Sequence, residues 1–520
     1  MLNEAFAIAK LCDIGIGEGI LIVLQKQGKM AGLFTSLRPI SLLNTIRKIF
    51  SLMTQERVGD KVDGFLSSSQ SAYQHDRSAQ DLIWCHRWLA ATAIRYNTPI
   101  HVLGLDMSRA FDTISRPKLM HILKDQVKLD EDSLRLVEAL LKDTTLRVRL
   151  DGKLSEPFST SIGTPQGDCL SPVLFIVYLE ATLRELRATA PKRCEADIKY
   201  KVPSEAIYAD DTDFISLSKA WLKELLEFVP PILAEYYLIA NKEKTDWQTM
   251  SKDSDEWKTC KKLGALLWDK ADISRRRSLA AATFKKLDKL WLHHQVVSQK
   301  VRVELFRAYV EPILLYACGT WGYTSLELES LEAFHRRLLR RAINVRYPDS
   351  ISNSALYKTT GISPLGVTIT KTRWELFGMM LRLPDDAPAR QSMALYTKPP
   401  GKAKRGAPVK TLPVLIQDDL KIIAPKTLSV QGRLTAKTLQ TLQYQAATPA
   451  ITGPTHPIWE ALVKKAVDMQ LDRYTASVRR KHGAKRKRET TSRKRRIAAD
   501  GGGGDNSESR KRPARLAIIA

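Results

Sequence analysis

The apolar positions of this chain switch period repeatedly over its first half. Gly19 to Leu24 form an unbroken apolar run, which predicts a buried strand leading into a basic turn at 25–29. Apolar residues recur at helical spacing from Thr45 to Val58 and again over 79–96. The second pattern stops at Asn97-Thr98-Pro99, because proline cannot continue a helix. Val102-Leu103-Gly104-Leu105 predicts a strand ending on Asp106, and Ser115 with Pro117 opens a helix over about 116–124. Residues 146–160 alternate around Asp151-Gly152, the pattern of a tight hairpin. Gly163 to Gly167 reads as a loop, Val173 to Leu183 as an apolar helix, 206–216 as a second hairpin and Lys219 to Tyr237 as another helix. Interleaving of this kind predicts an α+β fold in residues 1–274.

From about residue 275 the pattern turns helical and cationic. Residues 275–346 hold 14 Lys or Arg against six acidic residues. A separate helical domain with a basic face is expected over 275–390, where Trp291, Tyr309 and Trp321 serve either helix packing or base stacking. A linker is expected over 391–410, which is rich in Pro, Gly and Lys from Pro399 onwards. A small helical appendage is expected over 411–478, and a disordered basic tail over 479–520. That tail carries 11 Lys or Arg between Arg479 and Arg496, opposed only by Glu489.

The whole chain of 520 residues has 82 Lys and Arg against 56 Asp and Glu, a net charge of +26. So basic a surface favours a polyanionic partner, nucleic acid above all. The clusters at 485–488 and 493–496 suit phosphate contact or an import receptor. The six cysteines are scattered with no C-x-x-C pair, which predicts free thiols in a reducing compartment. No apolar run is long enough to span a bilayer, so a membrane partner is not expected.

Two adjacent carboxylates, Asp210 and Asp211, sit between short apolar runs, and Asp106 closes another run about a hundred residues upstream. Three carboxylates at strand ends can hold hard cations while leaving positions open for phosphate. Two Mg²⁺ ions, with Mn²⁺ as the alternative, would stabilise the attacking and leaving oxygens of a phosphoryl transfer. Without cations the three charges would repel one another. Lys26 or Lys29, with Arg38, would grip a triphosphate; arginine can fork onto phosphate oxygens, whereas lysine supplies a point charge.

Several motifs occur in one order. They are Arg38-Pro39-Ile40-Ser41-Leu42, Gln70-Ser71-Ala72-Tyr73, Asp106 through Phe111 and Asp112, Gly163-Thr164-Pro165-Gln166-Gly167-Asp168, Tyr208-Ala209-Asp210-Asp211, Asn241 to Thr245 and Lys262-Leu263-Gly264. In this set and order the sequence resembles the reverse transcriptases of non-LTR (LINE-type) retrotransposons, over roughly residues 15–390. The resemblance implies a right-hand polymerase with fingers, an antiparallel palm sheet and a helical thumb. It implies RNA-directed DNA synthesis from a primer 3′-hydroxyl, with an RNA template, a DNA primer and dNTPs as partners. Asp106 and Asp210 would bridge the metals and Asp211 would be the third carboxylate. Phe111 would lie under the sugar and exclude a ribose 2′-hydroxyl, and Gln166 with Gly167 would meet the incoming nucleotide. Lys244 would protonate the departing pyrophosphate. Along the thumb, Arg276, Lys285, Lys286, Arg336, Arg337 and Arg340 would follow the template–primer backbone.

The chain starts only about 20 residues before the fingers strand, so no upstream nuclease domain is expected, and neither a second nuclease nor a ribonuclease H carboxylate set is recognisable downstream. An endonuclease, if needed, would be on another chain. Two other readings stand beside polymerisation: a truncated, non-mobilising element copy that only binds nucleic acid, and an intron maturase, for which 275–478 shows no signature. A nuclear location, with some protein in the cytoplasm, is expected from the basic clusters.

Overall fold

The computed structural model describes residues 17–26, 30, 32–33, 36–108, 111–142, 144–150, 152–241, 245–292, 296–403, 405–427, 433–449 and 456–500. Lys29, Lys244 and residues 501–520 lie outside this set.

Two sheets carry the first half. Strand β1 (Glu18–Gln25) pairs antiparallel with β2 (Leu37–Leu43) and parallel with β5 (Thr145–Leu150), which continues into β6 (Lys153–Leu154) and also pairs with β7 (Phe158–Ser159). This is the fingers sheet, in which Leu150 pairs with Lys153; Asp151 of the predicted Asp-Gly turn lies outside the described residues. The palm sheet is antiparallel, in the order β11 (Asp246–Met250), β3 (Ile100–Leu105), β9 (Asp211–Ser216), β8 (Glu205–Tyr208). A short pair joins β4 (Met107–Ser108) to β10 (Ile239–Ala240), and β12 (Lys261–Lys262) with β13 (Ala265–Leu266) forms a separate two-stranded ribbon.

Both faces of the palm sheet are covered, because alternate residues of its strands are apolar in both directions. Leu103, Leu105, Ile207 and Phe214 face a layer made by α1 (Thr45–Phe65), α3 (Arg116–His121), α4 (Glu131–Leu141), α5 (Ser171–Thr189) and α7 (Lys219–Glu235). Helix α6 (Glu195–Tyr200) leads into β8. On the other face, Ile100, Val102, Ile215 and Met250 pack on Leu82, Cys85 and Leu89 of α2 (Ala79–Tyr96). Ser78 caps the start of α2 and Asn97 ends it in the left-handed conformation, so the predicted 79–96 helix is found with those bounds.

Helices α8 (Asp269–Leu287), α9 (Gln299–Tyr309), α10 (Glu311–Leu314), α11 (Ser325–Ala342) and α12 (Asn353–Thr360) form the thumb around Phe284, Phe306, Trp321 and Leu339. The C-terminal part departs from expectation. Helix α14 (Pro388–Thr397) occupies the first half of the expected linker. The expected appendage is α15 (Leu412–Ile423), α16 (Ala436–Ala447) and the start of α17 (Pro457–Asp500), and these pack with α13 (Leu365–Arg382) into one core with α2. Trp84, Trp88, Trp374, Phe377 and Trp459 fill that core, and aromatic burial on this scale joins the segment to the palm. Where a disordered tail was expected from residue 479, α17 continues to Asp500. No described helix is long and apolar enough to cross a membrane.

Candidate active site

Register alone brings the three carboxylates together. Leu105 of β3 pairs with Thr212 of β9, and the next antiparallel step sets Asp106 beside Asp211. Tyr208 pairs with Asp211, leaving Ala209 and Asp210 as a two-residue turn in which Ala209 has φ +54°. An alanine there is strained in isolation and needs outside support. Gln70 gives that support: its side-chain carbonyl accepts from the Ala209 amide at 3.0 Å and from the Ala72 amide at 2.9 Å. The segment around Gln70 also runs along β8, with Ser71 N donating to Ile207 O at 2.9 Å and Ile207 N to Ser69 O at 3.0 Å. The Gln70-Ser71-Ala72-Tyr73 motif therefore clamps the carboxylate turn, a role its composition did not disclose.

The electrostatics follow from this convergence. Burial, then the neighbouring carboxylates Asp210, Asp213 and Asp106, push the Asp211 carboxyl up to about 6, with Lys262 opposing them. Asp213 sits two residues further along β9, 2.6 Å from Lys262 Nζ and 3.0 Å from His86 Nε2 of α2. Burial would raise its carboxyl, but the Lys262 ammonium and then the His86 hydrogen bond outweigh burial and hold it down at about 2. Gly104 of β3 makes room for the pair: a Cβ there would stand 2.5 Å from Lys262 Nζ and 2.9 Å from Asp213 Oδ1. Lys262 and Asp213 were not singled out from sequence for this role. The signals were present, a glycine inside a strand and a lysine ending a run towards Leu263-Gly264.

Among the described residues, no three His, Cys, Asp or Glu side chains are gathered into a formed metal centre. The donor set nonetheless suits a hard cation: it is carboxylate only, and Asp210 and Asp106 raise the proton affinity of Asp211 by like-charge repulsion, which a divalent ion would relieve.

In the fingers sheet, Lys26 and Arg38 lie on one face of the β1–β2 hairpin end, since Leu24 pairs with Arg38 and Lys26 N donates to Ser36 O at 2.8 Å. Arg38 is exposed. Phe111 is half-buried, with its ring 4.6 Å from that of Phe175 on α5. Gln166 reaches Asp112, and Gly167 lies against β2, where a Cβ would meet Ser41 O at 2.4 Å. Asp168 pairs with the buried Arg47 at 3.2 Å, so it ties the loop to α1.

The thumb cations divide into two groups, because a buried guanidinium must keep its partners. Arg276 is buried, bonded to Gly264 O and stacked 4.2 Å over Tyr316. Arg336 pairs with Glu332 at 3.0 Å, and Arg340 donates to Ile351 O at 3.2 Å. Of these three expected contacts to nucleic acid, Arg276 is committed inside the thumb, while Arg336 and Arg340 are partly exposed beside their partners. Lys285, Lys286 and Arg337 are exposed. Trp321 is buried and donates to Asp272 at 3.0 Å, whereas Trp291 and Tyr309 are exposed.

A carboxylate turn on an antiparallel palm sheet, flanked by a fingers sheet and a helical thumb, defines a right-hand nucleic-acid polymerase fold. Residues 24–267 match the family "Reverse transcriptase (RNA-dependent DNA polymerase)". The chain is 24% identical over 350 residues to the RNA-directed DNA polymerase from mobile element jockey of Drosophila melanogaster, covering 62% of this chain and 37% of that protein. It is 24% identical over 213 residues to the Pol polyprotein of type-2 retrotransposable element R2DM of the same fly, covering 40% and 19%. Residues 24–267 are thus similar to reverse transcriptase domains, and the chain spans well under half the length of these non-LTR retrotransposon relatives. Among solved structures, apo telomerase from Candida Tropicalis aligns with 88% of this chain and 72% of its own at 12% identity, with a TM-score of 0.39.

Proposed function

We propose that this chain is an RNA-directed DNA polymerase that extends a primer 3′-hydroxyl with dNTPs on an RNA template. The observation that carries the reading is the register that seats Asp106 beside the Gln70-braced Asp210-Asp211 turn. Asp106, Asp210 and Asp211 would hold two Mg²⁺ ions, or Mn²⁺ in their place. When bound, such ions supply charge to the attacking and leaving oxygens of an in-line transfer. The protein's own residues do the rest. Lys26 and Arg38 receive the triphosphate, Phe111 closes the space under the sugar, and Gln166 meets the nucleotide. Lys285, Lys286 and Arg337 track the template–primer backbone in a salt-dependent way. Lys244 remains the proposed proton donor to pyrophosphate. The basic clusters at 485–488 and 493–496 fit recognition by an import receptor and a nuclear location.

Primer extension on poly(rA)/oligo(dT) tests the reading, with the wild type run beside an Asp210→Ala/Asp211→Ala variant. dTTP incorporation by the wild type alone is expected. Equal incorporation by both, or none by either, would defeat the proposal.

A further inference from the structure

The loop 163–167 is fastened from every side, and one fastening carries chemical information. Thr164 N donates to Phe111 O at 3.0 Å and Gly163 N to Ile114 O at 2.8 Å. Arg116 holds Gly163 O at 2.9 Å and Thr160 Oγ1 at 2.9 Å. Ser41 N of β2 donates to Gln166 O at 2.6 Å. Glycine is required at two of these points: at Gly163 a Cβ would stand 2.9 Å from the Asp112 and Phe111 carbonyls, and Gly167 has φ +119°. The backbone of Gln166 is thus fixed against both fingers and palm. Its side-chain Nε2 donates to the Asp112 carboxylate at 2.9 Å.

We propose that Asp112 is a positioning residue that sets which end of the Gln166 amide meets the incoming nucleotide; this rests on the polymerase reading. A carboxylate only accepts, so it admits the amide nitrogen and rejects the carbonyl. One N–H is then used, and the carbonyl with the second N–H is left for the ligand. An asparagine at 112 could donate or accept and would let the amide turn over. A cavity of about 220 Å³ adjoins the pair, lined among others by Ser41, Asp112, Thr164, Pro165 and Gln166. The buried Thr164 hydroxyl in that lining has no hydrogen-bond partner among the described residues. The nucleotide's sugar and base edge are the polar partners this lining would meet.

A double-mutant cycle on dNTP dependence tests the proposal, using the full chain as wild type, Asp112→Asn, Gln166→Ala and the double variant. Asp112→Asn is expected to raise KM for dNTP roughly three- to tenfold with kcat little changed, the size of one lost hydrogen bond. In the Gln166→Ala background the same change should add nothing, because Asp112 acts through Gln166. Multiplicative effects, or a fall in kcat with KM unmoved, would overturn the proposal. If Asp112→Asn does not fold, Asp112→Ser, with an acceptor too short to reach, replaces it in the same cycle. A wild type that extends no primer fails the polymerase reading itself, and this proposal with it.

Discussion

Removing the ammonium beneath the carboxylate turn, by Lys262→Met, should destabilise the palm in a way that depends on pH. Lys262 Nζ is 2.6 Å from Asp213 Oδ1, and the partner carboxylate is buried inside the sheet. A carboxyl held at about 2 instead of 3.8 contributes roughly 2–3 kcal/mol of stability at neutral pH, at about 1.36 kcal/mol per tenfold in acidity. Because the folded-state value is depressed, that contribution is complete above 3.8 and is lost as pH falls towards 2. In Lys262→Met, burial acts on Asp213 with only His86 left to oppose it. The loss at neutral pH should therefore reach about 3–5 kcal/mol, the usual cost of leaving one partner of a buried pair alone. Burial then raises the carboxyl, so the deficit should shrink on going from neutral pH to about pH 5. Urea unfolding followed by tryptophan fluorescence measures both. Adding Asp213→Asn should restore at least half of the loss, since no charge is then stranded. A deficit under about 1 kcal/mol, or one that is equal at both pH values and additive in the double variant, would refute the reasoning.

Three further outcomes can be checked directly. Phe111→Val should lower discrimination against ribonucleotides on the order of tenfold or more in single-nucleotide incorporation, with dNTP use largely kept. Trp459→Ala should cost about 3–5 kcal/mol in thermal or urea unfolding, because the ring lies between Trp374 and Phe377 in the core shared with α2. Lys285→Glu with Lys286→Glu should weaken primer–template binding and reduce its salt slope by roughly two, while leaving the melting temperature within a few degrees.

The palm was the most legible part of the sequence. Pro99 and Pro203 precede two of its strands, its apolar runs have strand length, and Asp106, Asp210 and Asp211 stand at the ends of those runs. What sequence could not supply was partnership across long separations. Arg276 and Arg336 read as free cations until their contacts with Gly264 and Glu332 are seen. Gln166 read as a nucleotide contact alone, while its bond to Asp112 spans 54 residues. The C-terminal helices were misjudged for a related reason. Residues 411–478 have modest apolar content, and their burial depends on Trp84 and Trp88, aromatic residues more than three hundred positions away. Periodicity reports the face that an element buries and is silent on what covers it.

Helix α2 shows what that silence concealed. Residues 81–93 are buried throughout, and five consecutive side chains serve three different neighbours. Trp84 stacks on Phe377 at 5.7 Å and Trp88 meets Tyr396 edge-on at 5.3 Å, which fastens the C-terminal helices. Cys85 lies in the core beneath the palm sheet, and His86 approaches Asp213 two residues from the carboxylate turn. Arg87 pairs with Asp269 at 3.0 Å and Asp272 at 3.3 Å, at the root of the thumb. Trp321 donates to the same Asp272, so the thumb root is held from two directions. A rigid shift of the first turn of α8 against the palm would have to strand at least one of these buried charges, at a cost of several kcal/mol. Any swing of the thumb over a bound duplex must therefore bend beyond Asp272, leaving the Asp106–Asp211 register undisturbed while the exposed lysines at the far end of α8 move.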